Sequence, residues 1–438
     1  MQTRSGLTYS HSHLDIFDIK VEVTANLTER LDERALAYAQ SIAKDEKKMT
    51  RFCKMTGQKD SEKFASETFG KFKNARVEAT VTYKPSAKDV EFYGEPLPSR
   101  LWANNPQSTQ STWGPLRAML IGGHTWDIDQ KSAWMRGLLY VCKELEKKVW
   151  NGPNGESRVV MPHIELEDWI KNKNDHFREW SREKNVTTRD MKGKLAAMAN
   201  YAGSFKTGYE PFKRLTNELH LIEKKLRAIP EFKRFVEYCD KKKEKTGKAQ
   251  TMIGVLTRAI EANLTWACVR ELEANNLSVC TVIHDGMNVY KHDEWTSDDI
   301  IALCNEVCEC VTQCDTFKWS YKEPDYSVYN EKGEQVGEFR VPDNFVVNTV
   351  SANSPKCPCG CGYTNGEIEG EGLELIPVEK TYDFLKKEFE KKHCQIHSQY
   401  IDEERRAPEA CICTEHEMKG KMHGRVKFYK HIHGKEES

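Results

Sequence analysis

At 438 residues the chain exceeds one ordinary hydrophobic core and predicts two or three domains. With 38% hydrophobic and 30% charged residues it reads as a folded protein rather than a disordered one, and no apolar run is long enough to span a bilayer. The net charge of −1 excludes a uniformly basic polyanion binder, so any such surface must come from local segregation, for which residues 192–245 and 419–435 supply the lysines. The polar start, Met1 to Gly6, has no apolar secretory stretch, and fifteen scattered cysteines argue against a disulfide framework. Both point to a reducing, intracellular setting with no membrane partner.

Residues 1–115 mix strand-like runs at Val21–Val23 and Val77–Tyr83 with a helical stretch near Leu31–Ala43, and end in a turn-rich segment. Leu116 to Asp129 reads as strand and turn. Ser132 to Val149 reads as a helix with Met135, Leu138, Leu139, Cys142 and Leu145 on its apolar face. Residues 150–250 are helical and highly charged, through Glu165–Trp180, Thr187–Asn200 and Leu215–Cys239. A long amphipathic helix over Thr251–Asn275 then feeds a hairpin, Leu277–Ile283 and Met287–Tyr290, tipped by His284-Asp285-Gly286. Ser297 is the expected cap of a further helix running to about Cys314. Beyond Trp319 the pattern weakens, and a Gly/Cys/Glu-rich stretch from Pro355 to Gly372 precedes a C-terminal piece built on Thr381–Lys392.

Chemistry concentrates in three of these segments. Trp126-Asp127-Ile128-Asp129 ends a strand just before a helix, and His284-Asp285 tips a hairpin. Two carboxylates delivered from a strand end and a neighbouring hairpin suit hard divalent ions, and two such ions about 3.5–4 Å apart support phosphoryl transfer. Between them lies a basic helix whose spacing puts Arg189, Gly193, Ala197 and Tyr201 on one face, with Lys192 and Lys194 beside it. Cations there can neutralise a triphosphate, and Tyr201 can stack on a base. Each feature also has a plainer reading. An Asp before a helix is commonly an N-cap, and an Asp-Gly pair is commonly a turn. Lysines on a helix are commonly a solvated face, and Tyr201 can equally be core. Arg258 and Glu261 can touch a template or pair at the surface.

Taken in order, the three segments resemble motifs A, B and C of nucleic-acid polymerases. His284-Asp285 is similar to the His-Asp of family A DNA polymerases, and Arg189 stands twelve positions before Tyr201 as in the family A fingers helix. Asp129-Gln130-Lys131-Ser132-Ala133-Trp134 resembles the Asp-x-x-Ser-Leu-Tyr of family B. The overall resemblance, over about residues 95–400, is to the divergent family A-like DNA polymerases of virophages and algal transposons, often fused to a superfamily 3 helicase. There motif A reads Asp-x-Asp and motif C His-Asp-Gly. The Arg100 and Arg117 segment resembles the stretch before motif A in that group, and Thr381 to Glu390 resembles the run joining polymerase to helicase. No Gly-x-x-x-x-Gly-Lys-Ser/Thr nucleotide loop occurs in the chain.

The resemblance implies an α+β polymerase right hand, with an antiparallel-sheet palm, a helical fingers region and a small C-terminal appendage. Its parts would be residues 1–115 (N-terminal, thumb-like), 116–149 (palm, motif A), 150–250 (fingers, motif B), 251–345 (palm, motif C) and 346–438 (a Cys/His-containing, helicase-linker-like region). It implies a template-directed DNA polymerase of a viral or mobile-element replicon, acting in cytoplasm, nucleus or viral factory. Asp129 and Asp285, assisted by Asp127, would hold two Mg²⁺ ions. Arg189 with Lys192 or Lys194 would hold the triphosphate, Tyr201 the base and His284 the turn or primer terminus. Trp134 would block a ribose 2′-OH. Primer-template DNA, deoxynucleoside triphosphates and a helicase are the implied partners. The alternative is a degenerate palm that binds nucleic acid or recruits a helicase. Two departures bear on that choice: Gly286 stands where most family A enzymes carry Glu, and Gly193 where they carry Lys.

Cys304, Cys308 and Cys314 fall at core spacing and are expected to be buried thiols. Cys357, Cys359 and Cys361 alternate in a loop and can bind Zn²⁺ with Cys394 or His397, while Cys411, Cys413, His416 and His423 offer a second set.

Overall fold

In a computed structural model of the chain, the described residues are 13–19, 24–56, 61–86, 100–152, 155–184, 187–201, 208–247, 249–330 and 335–345. The chain divides into two compact units, Met1–Arg340 and Val341–Ser438. The expected run at Val21–Val23, the C-terminal cysteine sets with Cys357, Cys359 and Cys361, and the Thr381–Glu390 segment lie outside the described residues.

The first unit is α+β with antiparallel sheets. Strand β1 (Ala25–Arg30) leads into helices α1 (Glu33–Ala43), α2 (Glu46–Thr56) and α3 (Ser61–Gly70), and β1 pairs with β2 (Glu78–Lys84), which pairs with the short β3 (Trp102–Ala103). Asp32 caps α1 by accepting from the Ala35 N–H at 2.8 Å. Helices α2 and α3 were not expected from the sequence. Their apolar residues are sparse and gather in one aromatic cluster, in which Phe52 meets Phe69, Trp113 and Phe339 edge to face.

The segment after Pro106 corrects the sequence reading. Leu116–Ile121, expected as strand, belongs to helix α4 (Gly114–Ile121), and the strand β4 covers Thr125–Gln130 alone. Pro115 in the first turn presets the backbone angle without costing a ladder hydrogen bond, and six of the eight residues of α4 are buried. A short apolar run buried on all sides carries no period that distinguishes helix from strand.

Helix α5 (Ala133–Lys147) follows, then a hairpin of β5 (Val149–Gly152) and β6 (Gly155–Arg158), and helices α6 (Ile164–Lys184) and α7 (Thr188–Tyr201). The single helix expected over Leu215–Cys239 is two, α8 (Glu210–Ala228) and α9 (Lys233–Thr246), separated by a 3₁₀ turn at Pro230–Phe232. Pro230 cannot continue the hydrogen-bond ladder, so the chain turns there. A buried acid acts as a cap: Glu218 accepts from the N–H groups of Glu165 and Leu166 at 3.0 and 2.8 Å, at the start of α6.

Helix α10 (Met252–Ala274) is the core of the unit. Thr251 caps it through Gly254 N–H at 2.9 Å, and Glu223 receives Met252 and Ile253 N–H at 3.0 and 3.1 Å. Expected as amphipathic, it is buried on nearly every face, because α5, α7, α8, α9 and α11 (Ser297–Thr312) all pack on it. Glycine at 254 is needed here. A Cβ would stand 2.7 Å from Asn200 Oδ1 of α7, so the two helices could not meet as closely.

The central sheet has the order β7 (Val279–Ile283), β8 (Gly286–Tyr290), β4, β9 (Trp319–Lys322), all antiparallel. Strand β9 falls where the sequence pattern weakened. Thr296 rather than Ser297 caps α11, in a reciprocal capping box with Asp299. Cys304 and Cys308 are buried on α11, while Cys314 lies just past its end and is half-buried. The nine described cysteines are thiols rather than disulfides. Strands β10 (Ser327–Tyr329) and β11 (Gln335–Glu338) form a terminal hairpin. No helix among the described residues is long and apolar enough to cross a membrane.

Candidate functional site

The central sheet has one apolar and one charged face, and strand alternation dictates which residues fall on each. Ile128, Met287 and Trp319 are buried against the helices. Asp127 and Asp129 of β4 take the other face, sharing it with Gly286 and Asn288 of β8 and with Ser320 and Lys322 of β9, their cross-strand partners.

The pairing of Asp129 with Gly286 brings the two distant motifs together. Asp285 is the last residue of the two-residue turn before Gly286, and its carbonyl accepts from the Gln130 N–H at 3.0 Å. Asp129, Asp127 and Asp285 therefore form one acidic group although more than 150 residues separate them in sequence. Gly286 owes its identity to that closeness. A Cβ at 286 would stand 2.8 Å from Asp129 Oδ1 and 3.0 Å from the Ile128 carbonyl, so a glutamate there would displace the Asp129 carboxylate and press on β4.

The charges act on one another strongly. Burial pushes the Asp129 carboxyl up to about 7, with the Asp285 charge adding to the rise and Lys322 opposing it. Burial also raises Asp127, against the pull of Arg117 and Lys322. The Lys322 ammonium is paired with Asp129 Oδ2. Arg117, delivered by the unexpected helix α4, is itself lowered by burial while Asp127 and Asp129 favour its charge. Among the described residues no hydrogen bond reaches the side chain of Asp127 or Asp285. No group of three or more His, Cys, Asp or Glu among them has metal-holding geometry as it stands.

Behind the hairpin tip sits a fourth acid. Glu261, on α10, is 2% exposed and bound by Arg100 Nη2 at 2.7 Å. Burial raises it to about 7, Arg100 opposes the rise, and Asp285 adds to it. It is therefore not a surface ion pair. Arg258 turns back on its own helix, its Nε donating to the Gly254 carbonyl at 2.7 Å. His284 has φ 58°, and its ring meets Trp102 edge to face at 5.7 Å. Burial lowers its pKa, and the neighbouring Arg100 lowers it further.

On the helical side, Lys173 of α6 donates to Ser132 Oγ at 2.9 Å, and burial and the Lys192 charge lower its pKa while Asp129 raises it. Lys192 is exposed on α7, Lys194 half-buried, and Gly193 opens to free space. Arg189 and Tyr201 are on α7, but their side chains lie outside the described ones. Trp134, in the first turn of α5, is partly buried against the core.

Among the described residues, Ser132 and His284 are two of the four non-glycine residues with positive φ, and each lies within three residues of Asp129 or Asp285. The other two, Asn276 and Gln313, follow helix C-termini, where that conformation is ordinary. Backbone strain thus concentrates beside the acidic group. Sequence reasoning missed Lys322 and Lys173, and named Glu261 without placing it behind the hairpin tip. The two lysines stood in charged surroundings with no motif to mark them, and their role is visible in the fold alone.

Neither a protein-family model nor a curated relative matches the sequence. Among solved structures, the POL domain of Pol1 from M. smegmatis in complex with DNA primer-template and dNTP is similar at 12% identity and a TM-score of 0.33, over 60% of this chain. The match spans about half of that domain's length, 52%.

Proposed function

We propose that the chain is a template-directed DNA polymerase whose acidic group, Asp129, Asp285 and Asp127, binds two Mg²⁺ ions. The observation that supports this is the meeting of Asp129 and Asp285 across β4 and β8. The donor set fits hard divalent ions: three carboxylates, two of them raised by burial and mutual repulsion, gain from any cation that neutralises them. Bound there, the ions would supply charge stabilisation and an activated primer hydroxyl.

The chain's own residues then divide the remaining work. Lys173, with Arg189 and Lys192 or Lys194 of α7, neutralises the triphosphate of the incoming nucleotide and orients its leaving group. Tyr201 stacks on the base, His284 orders the hairpin tip or meets the primer terminus, and Trp134 excludes a ribose 2′-OH. Arg100 and Glu261 hold the hairpin from behind. By the resemblance of its motifs, the chain belongs to a viral or mobile-element replicon, with a helicase as its partner and Zn²⁺ a candidate ligand of the C-terminal cysteines.

Primer extension with Mg²⁺ and deoxynucleotides tests the reading. Asp285→Ala is expected to lower the rate by about 10³-fold or more, as removal of a group that acts on the transition state does. A wild-type chain that binds primer-template but extends nothing supports the degenerate, nucleic-acid-binding alternative.

A further inference from the structure

Lys322 is ion-paired with the acidic group, and nothing in the sequence motifs uses it. It lies on β9 opposite Asp127, its ammonium is paired with Asp129 Oδ2, and its charge acts on both aspartates. The side chain is about half exposed, 54%, against 18% for Asp129. The lysine thus enters from the solvent side on a long, flexible stem, while the acid is fixed by the strand. An ammonium held on a carboxylate oxygen weakens the hold of a hard cation on the same group, because it occupies one of the lone-pair positions and the two cations repel.

We infer that Lys322 is a tethered counter-cation: its ammonium competes with the divalent ion for Asp129, so that metal binding favours a swing of the side chain outwards. The inference rests on the acidic group's being a metal site, as proposed above. Two physical consequences follow. While the lysine is engaged, it offsets the repulsion among Asp127, Asp129 and Asp285, so the group stays folded without metal. When it is displaced, a mobile cation is freed beside the position an anionic substrate would occupy. Metal and nucleotide binding would then favour each other, because the triphosphate stabilises the displaced lysine.

Titration of the full chain with Mn²⁺, followed by the loss of the free-ion electron paramagnetic resonance signal, tests this without any turnover. Lys322→Met is expected to bind Mn²⁺ roughly two- to fivefold more tightly than wild type, the size of a half-exposed ion pair. Lys322→Arg, which keeps the charge, should stay near the wild-type affinity. In chelator, Lys322→Met should melt below wild type and recover more on adding Mn²⁺. Unchanged or weaker Mn²⁺ binding by a folded Lys322→Met overturns the inference while leaving the metal site intact. Mn²⁺ binding that Asp129→Asn and Asp285→Asn fail to weaken overturns the metal site, and the inference with it.

Discussion

Two acidic regions of the same unit are built in opposite ways. In the N-terminal sheet, Glu29 is 2% exposed and its carboxylate accepts from Tyr83 Oη at 3.0 Å, Ser108 Oγ at 2.6 Å, and Thr109 N–H and Oγ1 at 2.7 and 2.9 Å. Every donor is a neutral group held by its own element, and Tyr83 passes the connection on to Thr281 of β7 at 2.7 Å. On the central sheet, Asp127, Asp129 and Asp285 crowd together with Lys322 and Arg117 as their cations, and no such shell of neutral donors surrounds them. The first carboxylate is satisfied by the fold and ties two sheets together. The second group is left in need of positive charge, which costs stability. A buried acid is informative about function when its partners fall short of its needs, and burial alone is not.

That contrast can be broken by mutation. After the loss of extension expected for Asp285→Ala, the largest effect should come from the satisfied acid. Glu29→Ala strands several buried donors and should cost roughly 2–4 kcal/mol in urea unfolding, with or without divalent metal. An effect below about 1 kcal/mol would show that the donors find water instead. Trp134→Ala should relax rejection of ribonucleotides by about tenfold or more in competition assays, since steric exclusion of one hydroxyl is the discrimination at stake.

Asp129→Asn should do the reverse of Glu29→Ala and stabilise the metal-free protein. In the folded state the Asp129 carboxyl holds its proton to about 7, against an ordinary value of 3.8. Below pH 4 it is neutral whether folded or unfolded. As pH rises from 4 towards 7 the unfolded chain ionises first, so folding becomes progressively less favourable, and the penalty is constant above 7. The substitution should therefore gain roughly 1–2 kcal/mol at pH 8 in chelator, with the gain vanishing near pH 4. Equal gain at both pH values would contradict the charge repulsion. The smallest effect is expected at Gly193, whose Cβ position is open. Gly193→Lys should stabilise α7 by about 0.5–1 kcal/mol in thermal unfolding and lower the KM for nucleotide if that face meets phosphate.

Much of the secondary structure was legible because it obeys local rules. Helix α10 runs from the residue after Thr251 to the one before Asn275, and the hairpin at 279–290 stands where β-rich runs flank a turn. Helix α4 was misread because Leu116–Ile121 is buried on all sides and has no period, and the break at Pro230 was overlooked within a charged run. Strand β9 carried too few apolar residues to be seen, yet it supplies Lys322.

The part legible in the sequence unaided is local: Asp127, Asp129 and Asp285 sit in patterns of strand end and hairpin tip that short-range sterics and turn geometry enforce. What the tertiary structure decided is who meets whom. The register of β8 against β4 sets Gly286 on Asp129, β9 brings in Lys322, α4 brings in Arg117, and α10 places Glu261 behind the turn. Those meetings depend on pairings between strands far apart in the chain. Charge interaction falls off with distance in space and takes no account of separation in sequence, so the electrostatics of the site existed nowhere until the sheet closed.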